Sequence, residues 1–447
     1  MCSILNAEHK AYWKQLIQLA FPITMGQLGI VLMGVVDVVM LGQYNTNAMS
    51  AAGVGSAIFF LTALLGMGTL QAVSALVSIS VGEGKPAQAL VIFKQSFIVV
   101  GFLLIAILGL NYFLYAHFDW FKQVKEIQTL AQEYFKIASY SLPAVLLFNN
   151  GKYFLDGLGK TAIAMWVTLL GLLLNVWLNY LLIYGHWGFE AMGLTGAVWA
   201  TVIARYVMAV IMLIWAWWHP LIQALKLQST EPIRYLKTIL KIGLPIGFTY
   251  FFEIAAFSAA LIIAGQLSAL HAGAHQIAIN LASITYMFVV GVSTATTIMV
   301  GNHFGAKDAK GIRRITIVSL QLTILLEGLF AIVIFLFKDI IPSWYTNDTA
   351  LLQMTPALLI MAALFQISDG VQAVGAGVLR GMKDTLVSGV IAFVSYWMLM
   401  IPGAYFWSKT HGIIGIWTAM VSALTLAAVL MVLRLWRKVK TIHLNWE

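Results

Sequence analysis

Asp37 lies inside an apolar run from Phe21 to Leu41, FPITMGQLGIVLMGVVDVVML, and Glu253 and Asp369 repeat the situation in two later runs. An ionised carboxylate near the middle of a spanning helix costs roughly 2.5 to 3.5 kcal/mol on insertion scales, so such residues face a cavity or a partner and work with ions or protons. That chemistry implies a transporter.

Other oxygen donors accompany these carboxylates. Asp37 stands six residues before Gln43, Asn179 six before Gly185, and Thr201 eight after Gly193, while Asn175 is one turn from Asn179 on the same face. At about 1.5 Å per helical residue, all four lie roughly 9 to 15 Å below the outer surface. Carboxylate, amide and hydroxyl oxygens suit a hard cation or a proton-bearing hydrogen-bond network. Glu253 is twelve residues beyond Lys241 and Asp369 eleven before Arg380, which puts both near ~17 Å from the cytoplasmic side. At one level they could share a proton or a monovalent cation that offsets their repulsion. Each has a structural alternative, since buried carboxylates and asparagines also tie helices together in lipid. Pro22 and Pro245, early in their runs, are candidate hinges or simple start-of-helix prolines. Glu327 and Arg205 fall within spans without a legible partner, and snorkelling or structural pairing is preferred over a water-filled groove.

The elements that position these residues follow from composition. The chain has 447 residues, 61% hydrophobic and only 10% charged, with a mean hydropathy of +0.89. Soluble proteins carry about 25% charged residues. Runs of about 20 apolar residues, long and continuous rather than alternating, predict an all-α polytopic membrane protein and not a membrane barrel. We read twelve transmembrane helices, the first cored on 18–41, the weakest, the fourth, on 135–150, and the last two on 386–407 and 412–433. The net charge of +9 does not form one patch that would suit nucleic acid; 20 of the 26 Lys and Arg fall in alternate loops and at the ends. The other side receives Lys122, Lys125, Lys136, Lys338 and Lys409. This bias predicts both termini in the cytoplasm. The polar start has no cleavable secretory signal, and the single Cys2 excludes an intramolecular disulfide.

Shifting the chain on itself from Pro22 to Pro245, a step of 223 residues, also aligns Lys14 with Lys237, Gly42 with Gly265, Gly68 with Gly291 and Gly82 with Gly305. Later, LDGLGKT at 155–161 answers LRGMKDT at 379–385, and GLTGAVWAT at 193–201 answers GIIGIWTAM at 412–420. The halves are one duplicated design: residues 1–218 and 242–447 are two pseudo-symmetric six-helix lobes, joined by a basic cytoplasmic linker at 219–241. Six spans per half make the repeats parallel, related by an axis along the membrane normal.

Other chemistries find no support. LDGLGKT would need glycine at 154 to be a phosphate loop, and Phe154 stands there. His271 and His275 are spaced for a zinc helix but lack its glutamate. No cofactor, enzymatic nucleophile or resident metal is expected, beyond a Na⁺ at the carboxylates. Asn347-Asp348-Thr349 is a formal glycosylation sequon, relevant only in a secretory-pathway host.

Several stretches, among them LAFPITMGQLGIVLMGVVDVVMLG at 19–42, NVWLNYLLIYG at 175–185, GLPIGFTYFFE at 243–253, AHQIAINLAS at 274–283 and FQISDGVQAVGAGVLRGMKDT at 365–385, resemble the multidrug and toxic compound extrusion (MATE) family, in its bacterial NorM-type branch. The resemblance spans nearly the whole chain. It implies an inner-membrane antiporter that exports organic cations and drugs by alternating access against inward Na⁺ or H⁺, for which a monomer suffices mechanically. Asp37 matches the family's amino-lobe carboxylate, Asn175, Ala197 and Thr201 its cation-site companions, and Asn179 a further polar position. Glu253 and Asp369 match the carboxyl-lobe acidic pair. Where NorM-type proteins often carry tyrosine four residues before that aspartate, this chain has Phe365. The competing reading is a flippase for lipid-linked saccharides from the same broad superfamily, against which the acidic rather than basic buried charges argue.

Overall fold

The computed structural model describes residues 2–121, 124–220, 223 and 235–442, with side chains from residue 9 onward. Most of the 219–241 linker, with Lys226 and Arg234, lies outside the described residues, as does Lys122. Among the described residues there are helices and turns but no strand. The helices are α1 (Cys2–Tyr44), α2 (Thr46–Gly82), α3 (Pro86–Ala116), α4 (Lys125–Ser139), α5 (Leu142–Gly157), α6 (Thr161–Tyr184), α7 (Gly193–Trp218), α8 (Leu236–Leu267), α9 (Ala269–Gly305), α10 (Ala309–Phe337), α11 (Thr349–Gly381) and α12 (Thr385–Thr441). Ten are long and apolar enough to cross a membrane, all except α4 and α5.

The count still reaches twelve spans. The expected fourth span is the bent pair α4–α5, broken at Tyr140 and Ser141, where Pro143 removes a backbone donor from the start of α5. α12 holds the last two spans and folds back on itself, with Gly403 beside Ala419 and Gly415 beside Trp407. The reversal is made at Gly412, whose φ of 56° and ψ of −136° are open to glycine and closed to other L-residues. Within the first arm, Phe393–Met400 is π-helical.

The duplication recurs in the helix ends. Asn45 caps α2 by accepting from the backbone N–H of Asn47 and Ala48, at 2.8 and 3.0 Å. Ser268, one repeat later, caps α9 by accepting from the N–H of His271 at 3.2 Å. Both satisfy donors that a helix start leaves unpaired.

Two compact units result: Met1–Thr24 with Phe248–Glu447, and Met25–Gly247. The loop-based lobes expected at 1–218 and 242–447 and these units are therefore different partitions of the chain, because helices α1 and α8 each contribute to both units. The start of α1, through Leu16, Ala20 and Ile23, joins the apolar core around Val292, Ile312 and Val378 of α9, α10 and α11. The start of α8 lies against Thr69 of α2. The cuts fall three residues beyond Pro22 and Pro245, again one repeat apart.

Candidate functional site

In the Met25–Gly247 unit, α1, α6 and α7 bring four of the expected residues together. Asp37 is 6% exposed, Asn175 and Asn179 0%, and Thr201 4%. Asn179 Nδ2 donates to Asp37 Oδ1 at 2.6 Å, and Thr201 Oγ1 donates to Asp37 Oδ2 at 2.7 Å. Asn175 Nδ2 in turn donates to Thr201 Oγ1 at 3.1 Å, while its Oδ1 accepts from Asn179 Nδ2 at 3.3 Å. Ala197 contributes its carbonyl, 3.2 Å from the Thr201 hydroxyl.

The spacing explains the convergence. Asn175 and Asn179, and likewise Ala197 and Thr201, are each one helical turn apart and share a face. Both faces are aimed at Asp37 of α1. No Lys, Arg or His lies within ion-pair distance of Asp37 among the described residues. Its hydrogen bonds come from neutral amide and hydroxyl donors, leaving carboxylate, amide, hydroxyl and carbonyl oxygens clustered in a buried site.

Arg205, without a partner on sequence grounds, has two. It donates to Ser141 Oγ at 2.7 Å and lies 4.9 Å over the Phe59 ring. The next residue, Tyr206, donates to the Tyr140 carbonyl at 2.9 Å. α7 thus holds the break between α4 and α5. Nothing in the sequence links position 205 to position 141, because only packing sets which helices meet.

In the other unit, Glu253 of α8 and Asp369 of α11 are buried, 5% and 8% exposed. Tyr286 of α9, missed by the sequence reading, donates to Glu253 Oε1 at 3.1 Å. One residue before Glu253, the Phe252 carbonyl accepts from Trp397 Nε1 at 3.2 Å, so the π-helical stretch abuts the acidic site. Phe365 is buried against Trp417, with ring centroids 5.7 Å apart. Asp369 Oδ1 has no hydrogen-bond partner. Pro22 and Pro245 lie inside α1 and α8 rather than at their starts.

The family model described as MatE matches residues 22–181 and 245–406, one segment in each repeat. The chain belongs to the MatE family. It is 32% identical to a probable multidrug resistance protein NorM of Mannheimia succiniciproducens, over 96% of this chain and 95% of that one. It is 30% identical to the multidrug resistance protein MdtK of Proteus mirabilis, over 95% of each. Among solved structures, the eukaryotic MATE transporter AtDTX14 superposes with a TM-score of 0.89 at 14% identity, covering 98% of this chain and 99% of that one. An outward-facing multidrug resistance MATE family transporter of the MOP superfamily gives 0.87 at 19% identity, covering 96% of each. The all-α, twelve-span MatE architecture is therefore shared across relatives whose sequences have diverged widely.

Proposed function

We propose that this MatE protein is a multidrug efflux antiporter, exporting organic cations across the bacterial inner membrane in exchange for Na⁺ or H⁺. It works as a monomer with both termini in the cytoplasm, and no enzymatic step belongs to this reading. The names of its relatives support drug export as the activity. The observation that carries the exchange mechanism is Asp37, a buried carboxylate held by neutral donors from two other helices.

Such a group takes up a cation or proton readily because no basic side chain pairs with it directly. Ion binding at Asp37, Asn175, Asn179, Ala197 and Thr201, and at Glu253 and Asp369, favours one orientation of the transporter, and a cationic drug favours the other. Pro22 and Pro245, next to the points where α1 and α8 change unit, are the hinges. The negative potential of the carboxylates serves both ligands.

The test is Asp37→Asn in cells and in sealed vesicles. We expect a folded protein at normal abundance, with drug resistance and gradient-driven ethidium efflux abolished. Wild-type resistance would remove Asp37 from the coupling role.

A further inference from the structure

Glu327 belongs to none of the expected sites. It sits on the face of α10 that includes Leu322 and Thr323, and it is 1% exposed. Its Oε1 has no hydrogen-bond partner. Beside it is Gly370 of α11, the residue after Asp369. A Cβ at Gly370 would come within 2.7 Å of Thr323 Cγ2 and 3.0 Å of Glu327 Cγ. The glycine lets α10 approach α11 and seats Glu327 against the residue that follows Asp369. Asp369 Oδ1 is likewise unpartnered. Two buried carboxyl groups on packed helices, one on Glu327 and one on the residue before Gly370, are therefore each left with an unpaired oxygen.

The surrounding groups decide what Glu327 can bind. No cation faces it. On α9, His271 is engaged with Ser268 and His303 with Asp308, the His275 ring packs on Trp417, and Tyr286 donates to Glu253. At the end of α11, Arg380 donates to Tyr250 of α8, and on α12 Arg434 pairs with Asp384. Tyr396, in the π-helical stretch, donates to Gln372. Among the described residues, no three acidic or His/Cys side chains are arranged to hold one metal ion. Two carboxyl groups offer at most four oxygens, fewer than the about six that a hard metal cation takes when it sheds its water. A proton needs one.

We infer that Glu327 is a proton-carrying station of the acidic site, exchanging its proton with Asp369. This rests on the reading of Glu253 and Asp369 as a coupling site. In the transfer, the O–H bond of the Glu327 carboxylic acid breaks and an O–H bond forms at the Asp369 carboxylate. Charge moves from one to the other without a redox change. The site then holds its exchangeable protons on three carboxyl groups from α8, α10 and α11, rather than on the expected two.

The full-length protein in proteoliposomes, with ethidium as the transported probe, tests this. Efflux is driven either by an imposed pH gradient or by a Na⁺ gradient at fixed pH. Glu327→Gln should lose at least ten-fold of the pH-driven rate, while Glu327→Asp keeps most of it. A packing role gives the reverse order, because Gln preserves the volume beside Gly370 and Asp leaves a void. An unchanged Glu327→Gln rate beside an inactive Asp369→Asn overturns the inference and leaves the coupling site standing. Equal losses under both gradients overturn the proton assignment. Wild-type rates in Glu253→Gln, Asp369→Asn and Glu327→Gln together overturn both the inference and the site it rests on.

Discussion

The hydroxyl of Thr201 reaches Asp37 Oδ2 at 2.7 Å and the Ala197 carbonyl at 3.2 Å. It has one proton for two acceptors. When Asp37 is ionised the shorter contact takes that proton, and when a cation or proton neutralises Asp37 the carbonyl of its own helix is the ready alternative. Thr201→Val keeps the shape and removes the donor. A hydrogen bond to a charged group contributes roughly 1.5 to 3 kcal/mol, so we expect a change of about ten-fold or more in the apparent affinity for the coupling ion. Ethidium efflux titrated against Na⁺ and against pH measures it, and Thr201→Ser should restore most of the wild-type response.

Glu253 has Tyr286 as its hydrogen-bond donor and Asp369 as its charged neighbour. Glu253→Gln leaves Asp369 without the repulsion that a shared proton or cation offsets. Cation-driven transport should weaken, with the dependence on pH or Na⁺ flattened. Vesicle assays with the two gradients imposed separately give the answer, and an unaltered profile would argue against this assignment.

Arg205 bridges α7 to the break between α4 and α5. Arg205→Lys cannot reproduce both the contact with Ser141 and the stacking on Phe59, since an ammonium lacks the planar fork. The loss of a charge-assisted bond predicts amide hydrogen exchange at least several-fold faster around 138–145. Mass-resolved exchange on the detergent-solubilised protein reads it directly.

Gly412→Ala places a Cβ where φ is positive and ψ strongly negative. Such strain costs on the order of 1 to 3 kcal/mol, in a turn that joins the last two spans. A lower melting temperature and easier proteolysis at this hairpin should follow, with little effect from the same change at Gly328 of α10, where an added Cβ would meet nothing within 4 Å.

Asp308 caps α10, accepting from the Gly311 N–H and from His303, each at 2.9 Å. Burial pulls its carboxyl up, but these hydrogen bonds and the histidine outweigh burial and hold it below the ordinary aspartate range. Its folded value is depressed, so its stabilisation is complete above about pH 4 and fades as the pH falls through the depressed value. Asp308→Ala should therefore cost about 1 kcal/mol near neutrality, with the gap to wild type closing towards pH 3. Thermal unfolding across that range tests the sign.

Much of this was legible before any coordinates. Apolar run length marked the spans, and depth counting put Asp37, Asn175, Asn179 and Thr201 at one level because a helix converts residue number into height. Height is only one coordinate. Which way a side chain points around its helix, and which helix stands opposite, depend on packing. For that reason Ser141 as the partner of Arg205, Tyr286 as the donor to Glu253, and Gly370 as the seat of Glu327 were hidden. The break at Tyr140 showed only as a weak fourth span, since α4 mixes Glu126, Glu133 and Lys136 with its apolar face.

The exchange of α1 and α8 between the compact units bears on ancestry. In a six-helix ancestor of one repeat, the first two dozen residues would have had no place in their own unit and would have completed that of a second copy. Two such chains, each lending an arm to the other, form a swapped homodimer. Fusing their genes would turn that pair into one polypeptide.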